Sequence, residues 1–307
     1  MIKIEKLVKK YGTRTAVDNI SFCVDKGEIV GFLGPNGAGK TTTMRIIAGY
    51  LKPTDGSVSV AELDMSTHSL EARSHIGYMP EIVPLYTDMT TTQYLTYVAK
   101  LRGMTRKTIR SRIGEVVELC HLEEYVHTIL GKLSKGFRQR VGIAQAVIHE
   151  PDVLILDEPT AGIDPIQVAQ TRELIKTLGK ERTILLSTHI LPEISMICER
   201  VIIIHKGKIV AEDRIDNLSA LLKRGHTIRL QIDGPPEEVS ARLREINMAE
   251  AVEYQAPYHR VDYSAEESPH GDITRLVVQN GWTLRSMETE EMDLESIFLN
   301  LTTEEQR

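Results

Sequence analysis

Cysteine is scarce in this chain: Cys23, Cys120 and Cys198 are the three among 307 residues, and they stand far apart. No Cys/His spacing of a zinc or redox site occurs, so neither a disulfide framework nor a cysteine-held metal is expected to organise the fold. Long apolar runs are missing too. None approaches the roughly 20 residues of a membrane span, and the Met-Ile-Lys-Ile-Glu-Lys start has no signal-peptide character. A soluble, cytoplasmic protein is the expectation. Lysine is absent after Lys223: residues 225–307 hold 7 Arg against 17 Asp+Glu, whereas residues 1–224 hold 30 Lys+Arg against 26 Asp+Glu. Phosphate contacts dominate nucleic-acid affinity, so this acidic tail is a poor nucleic-acid arm and no nucleic-acid partner is expected. Length and composition otherwise suit a globular protein of one large or two modest domains.

What is present centres on Glu28 to Thr43. Ile29–Leu33 is an apolar run of strand length, Gly34 to Thr41 fits G-x-x-x-x-G-K-[ST], and Met44 to Ala48 reads as the following helix. Strand, glycine loop and helix are the context in which this pattern holds phosphate. Gly34, Gly37 and Gly39 let the backbone turn with positive φ, so that successive N–H groups converge on one anion. The helix start adds the positive end of its dipole. Pro35, Asn36, Ala38 and Thr42 complete the expected nucleotide-binding stretch. Lys40 supplies a charge for the β- and γ-phosphates, and the Thr41 hydroxyl is a ligand for Mg²⁺. Upstream, Tyr11 is either a ring that stacks on a purine or an ordinary loop tyrosine.

Along the chain, Met1 to Val8 alternates apolar and charged residues as a half-buried edge strand would. Ala16 to Val24 is a second strand, Val58 and Val60 lie on a third, and Ile76 to Glu81 on another that ends at Pro80. From about Met89 to Val147 the texture is helical, with helices expected over 91–101, 108–119 and 136–149. A helical lobe of about residues 82–148 thus interrupts the α/β pattern. Asp152 to Glu158 is a buried strand ending in two carboxylates, and Arg182 to Ser187 a strand delivering Thr188-His189. Three strands therefore end at Gly34, at Asp157-Glu158 and at His189, and ligands of open α/β sheets sit off such ends.

Asp157 is placed as a Mg²⁺-directed carboxylate. Glu158 points the other way if the chain stays extended, and so is placed to orient or deprotonate water. His189 is expected to reach the γ-phosphate. Lys40, Glu158 and His189 are the candidate catalytic residues.

Gly34 to Thr41, Leu133-Ser134-Lys135-Gly136, Asp157-Glu158-Pro159-Thr160, Ala161-Gly162-Ile163-Asp164 and Ser187-Thr188-His189 stand in the order seen in ATP-binding-cassette ATPases, which residues 1–215 resemble. The resemblance implies a P-loop NTPase α/β fold with an antiparallel β subdomain and a helical subdomain. It also implies ATP and Mg²⁺ as cofactors. Tyr11 matches the adenine-stacking aromatic and Asp164 the aspartate that links two protomers. Ser134 and Gly136 would meet the γ-phosphate held by a second copy. A homodimer with composite ATP sites is thus implied, with a separate integral-membrane permease as partner and a peripheral place on the cytoplasmic membrane face.

Two departures stand out. Glu81 replaces the usual glutamine and brings a third carboxylate near the metal, beside Thr41 and Asp157. Lys135 and Phe137 stand where glycine and glutamine are commoner; Lys135 would add charge at the shared site, and Phe137 leaves one contact unaccounted for. Both resemble the exporter branch that includes gliding-motility and antibiotic-export subunits. A soluble cassette ATPase acting on ribosomes or nucleic acid is the competing reading. Residues 225–307 read as a small acidic α+β domain, ferredoxin-like in its alternation, closed by a helix over 292–301.

Overall fold

Ile2, Ile4 and Leu7 alternate with charged residues, and strand β1 (Ile2–Tyr11) buries these three while exposing Lys3 and Glu5. In the computed structural model, which describes residues 1–215, 217, 226–246, 248–263 and 269–291, β1 is not an edge strand. It pairs antiparallel with β2 (Arg14–Val24) on one side and β4 (Asp55–Val60) on the other, and β5 (Leu63–Asp64) lies beyond β4. Alternation reports that one face is buried; it says nothing of neighbours in the sheet plane, which is why the edge expectation failed.

The second sheet has six strands, in the order β10 (Lys208–Arg214), β9 (Arg200–His205), β3 (Ile29–Leu33), β8 (Thr183–Thr188), β7 (Val153–Asp157) and β6 (Ile76–Met79). The β9-β3-β8-β7-β6 pairs are parallel, and β3, β7 and β8 are buried along nearly their whole length, as strands covered on both faces must be. Helix α1 (Lys40–Ile47) sends Met44, Ile46 and Ile47 into one core with Phe22, Phe32, Val58 and Ile155. Each such side chain contributes about 1.5–3 kcal/mol by leaving water, so α1 and the phosphate loop before it are firmly seated.

After the short α2 (Ser69–Ser74), the expected helices appear as α3 (Thr91–Leu101), α4 (Arg106–Leu119) and α5 (Lys135–Val147). Thr90, Thr105 and Ser134 cap them, each hydroxyl accepting a backbone N–H three residues on. Those caps explain why α4 and α5 begin one or two residues before their apolar periodicity does. Helices α6 (Pro165–Gly179) and α7 (Leu191–Ile197) follow β7 and β8. Among the described residues, no helix is long and apolar enough to cross a membrane.

The chain divides into two compact units, Met1–Asp213 and Arg214–Arg307. In the second, β11 (His226–Asp233), helix Pro236–Arg244, β12 (Ala249–Gln255), β13 (Tyr258–Tyr263), helix His270–Gln279 and β14 (Thr283–Glu291) build a sheet of order β12-β13-β11-β14. Every adjacent pair is antiparallel, which is the split β-α-β arrangement of ferredoxin-like domains. Its core is Ile228, Leu230, Val239, Leu243, Val261 and Ile273. The helix expected over 292–301 lies outside the described residues.

Candidate nucleotide site

The parallel register sets Leu33 beside Thr188 and Asp157 beside Ser187. The ends of β3, β8 and β7 are therefore neighbours, and the phosphate loop, His189 and the Asp157-Glu158 pair leave the sheet at one edge. Gly37 and Gly39 take φ of 81° and 113°, conformations an L side chain resists. A Cβ on Gly39 would stand 2.6 Å from the Ala16 carbonyl oxygen, and one on Gly34 would stand 2.4 Å from that of Ile204. Gly39→Ala should thus lower unfolding stability by about 1–3 kcal/mol and weaken nucleotide binding, as urea denaturation and nucleotide titration would report. Unchanged values in both would mean that the loop tolerates a Cβ.

Lys40 is buried, and its ammonium donates to the carbonyls of Gly34 (2.6 Å) and Pro35 (3.3 Å). Glu158 Oε1 lies 3.3 Å from the same Nζ. The other carboxylate oxygen, Oε2, stands 2.9 Å from His189 Nδ1. Glu158 thus joins a buried cation to a half-exposed imidazole. Strand alternation is not what aims it: Glu158 has φ of 50°, so the extended run stops at Asp157. Its N–H is held by the carbonyl and the hydroxyl of Ser187, each at 3.1 Å. The left-handed turn carries the carboxylate to the lysine, a correction to the extended-chain argument.

Asp157 is fully buried. Its Oδ1 accepts from Ser187 Oγ at 2.6 Å and from Thr41 Oγ1 at 3.3 Å. Its Oδ2 is buried without a hydrogen-bond partner. Burial, reinforced by the nearby Glu158 and Glu81 charges, pushes the carboxyl above its ordinary range, while the two hydroxyl bonds hold it down. A buried carboxylate oxygen beside a threonine hydroxyl is a hard oxygen set that suits Mg²⁺, whose charge would reverse the desolvation penalty.

Tyr11, Pro35, Asn36, Gly37, Gly39, Lys40, Thr41, Thr42, Glu81, Glu158 and His189 line one cleft of about 470 Å³. Gly34 and Ala38 are buried and do not line the cleft, and Asp157 accepts from the Thr41 hydroxyl without lining it. The Tyr11 ring is 48% exposed, with the Lys9 ammonium 5.3 Å from its centroid. Exposed Glu81 stands in the lining. Arg14, which the sequence reading passed over, also lines the cleft. A single cation in a hairpin turn carries no motif, and only folding β1 against β2 brings it over the glycine loop.

Ser134, Gly136 and Asp164 lie outside this cleft. They gather at the N-termini of α5 and α6: Ser134 and Asp164 cap the two helices. Asp164 Oδ1 accepts from the Gln167 N–H at 3.0 Å, and Gly136 is pressed against the Gln167 side chain with no room for a Cβ. Phe137 is accounted for, because its ring stacks 4.0 Å from that of Tyr125 with the Arg140 guanidinium 5.1 Å from its centroid.

A glycine cradle, buried lysine and strand-end carboxylates on a parallel sheet define a P-loop nucleotide hydrolase. The family described as ABC transporter matches residues 17–161. The bacitracin transport ATP-binding protein BcrA of Bacillus licheniformis is 36% identical over 98% of this chain and 97% of its own. The linearmycin resistance ATP-binding protein LnrL of Bacillus subtilis is 32% identical over 98% of both. Among solved structures, an ATP-binding subunit of an ABC transporter aligns at a TM-score of 0.65 with 30% identity, over 72% of this chain and 92% of that one. The dimeric, post-hydrolysis cassette MJ0796 with ADP and Pi aligns at 0.65 with 26% identity, over 70% and 99%. The chain belongs to the ATP-binding proteins of ABC transporters. It is an ATPase that energises a membrane transporter.

Proposed function

We propose that this chain is the ATP-hydrolysing half of an exporter whose permease is a separate membrane protein. The observation that carries the catalytic reading is the Glu158 carboxylate held between Lys40 and His189 within the cleft. Backbone N–H groups of residues 34–39 and the start of α1 cradle the phosphates. Lys40 bonds the β/γ oxygens, and Tyr11 stacks on the adenine. Glu158 accepts a proton from the attacking water, a role worth about 10²–10⁴-fold in rate. His189, fixed by Glu158, meets the γ-phosphate. Thr41 and Asp157 hold Mg²⁺, with Glu81 near it. The ion would neutralise charge on the phosphate oxygens during transfer.

Ser134, Gly136 and Asp164 have no work in the chain's own cleft. Their place at two helix N-termini suits the γ-phosphate of a second copy, so we assign a homodimer closed head to tail on two ATP molecules. A groove of Arg45, Tyr50, Leu51, Tyr78, Ile82 and Tyr94, between the sheet and the helical lobe, is where the permease would take up the motion. The antibiotic names of the relatives support export as the direction, and in this reading the subunit works on the cytoplasmic face of the membrane.

The reading is tested by affinity purification of the chain from solubilised membranes. A polytopic protein of about six spans encoded beside it is expected; ribosomes or nucleic acid in its place would favour the soluble alternative. Glu81 supplies a second test. If its carboxylate does the sensing work of a glutamine, Glu81→Gln keeps ATP turnover near the native rate. A large change in either direction would assign the carboxylate a role of its own.

A further inference from the structure

Glu193 is a buried carboxylate that lies outside the nucleotide cleft. It stands on α7, four residues after His189. Its Oε2 accepts from the hydroxyl of Thr160, which is buried too, and among the described residues no cation pairs with it. Taking a charge out of water is costly unless it is both paired and hydrogen-bonded. For stability alone, an apolar side chain of similar volume would serve this place as well or better. A buried carboxylate held on one threonine therefore calls for another reason.

The position of Thr160 supplies it. Thr160 comes two residues after Glu158, on the turn that joins β7 to α6. Glu158 opens that turn at a φ of 50°, a torsion that persists in a residue with a side chain only where the surroundings hold it. Two holds come from elsewhere in the fold. Ser187 of β8 takes the Glu158 N–H on its carbonyl and hydroxyl. Buried Gln139 of α5 donates from Nε2 to the Ala161 carbonyl at 3.2 Å, and the Ala161 N–H closes the turn on the Glu158 carbonyl at 3.2 Å. Neither hold involves α7. The Glu193–Thr160 bond does: it ties the turn that carries Glu158 to the helix that follows His189.

We propose that Glu193 is a positioning residue for hydrolysis. Through Thr160 it holds the strained turn so that the Glu158 carboxylate stays between Lys40 and His189. The inference rests on the reading of Glu158 as the base and adds the group that keeps the base aimed. A carboxylate suits this work because a hydrogen bond to an ionised acceptor is about twice as strong as one between neutral groups.

The test is steady-state ATP hydrolysis by Thr160→Val, which keeps the shape and removes the donor, read below the melting temperature of each variant. Its kcat is expected to fall about ten- to hundredfold, the loss that a misplaced catalytic group brings. KM for ATP should stay near native, because Thr160 and Glu193 line no part of the cleft. Thr160→Ser restores the hydroxyl and should keep a near-native kcat. Glu193→Leu should match Thr160→Val, and the double variant should be no slower than either, as two ends of one bond require. Three results would overturn the proposal: native kcat in Thr160→Val, a raised KM with kcat unchanged, or losses that multiply in the double variant. Native turnover by Thr160→Val beside a stalled Glu158→Gln would remove the positioning role alone and leave Glu158 as the base.

Discussion

Lys40→Ala is expected to abolish ATP binding and, with it, all hydrolysis. A charged hydrogen bond contributes about 1.5–3 kcal/mol, and this ammonium would make more than one to the terminal phosphates. Its present partners make the loss sharper. Two carbonyls and a carboxylate already converge on Nζ, so the cation stands where the phosphates are to arrive. Removing it also leaves Glu158, itself 5% exposed, without its buried counter-charge. Breaking a buried ion pair from one side costs about 3–5 kcal/mol, tempered here by the second partner, His189. The variant should therefore melt below the native protein even without nucleotide. A titration with a fluorescent ATP analogue reads the first effect and a thermal melt the second. Binding of native strength would remove Lys40 from the site.

Glu158→Gln is expected to separate binding from chemistry. Glutamine has the shape of glutamate: its carbonyl oxygen still accepts from Lys40, and its amide still reaches His189 Nδ1. The proton acceptor is lost. Hydrolysis should fall by about 10²–10⁴-fold while ATP affinity stays close to native. With product formation stalled, ATP should hold two copies together, and light scattering should report a dimer that appears with ATP and Mg²⁺. Turnover at the native rate would end the assignment of Glu158 as base.

Much of this was legible in the residues because the chemistry leaves so few choices. A loop holding three glycines before Lys40, a carboxylate pair after four apolar residues and a histidine after another strand each fix both an element and its end. The parallel register then brings the three ends together without further information. What was not legible depends on contacts in the plane of a sheet or on a single backbone torsion. β1 reads as an edge because burial of one face is all that alternation encodes. Glu158 reads as alternating with Asp157 along an extended chain because nothing in Asp-Glu-Pro announces the positive φ that turns it onto Lys40. Arg14 joins the cleft, and Phe137 finds Tyr125, only once distant segments have folded together. The ferredoxin-like alternation of the C-terminal unit was legible, but the strand order and register of its sheet needed the structure.

The account depends most on a site shared between two copies, and one measurement reaches it directly: a structure of the Glu158→Gln variant with ATP and Mg²⁺. The γ-phosphate is predicted to lie within hydrogen-bond reach of Lys40 in one copy and of Ser134 in the other, with Thr41 and Asp157 at the metal. ATP bound to a single copy, or a dimer in which Ser134 and Gly136 face solvent, would contradict it.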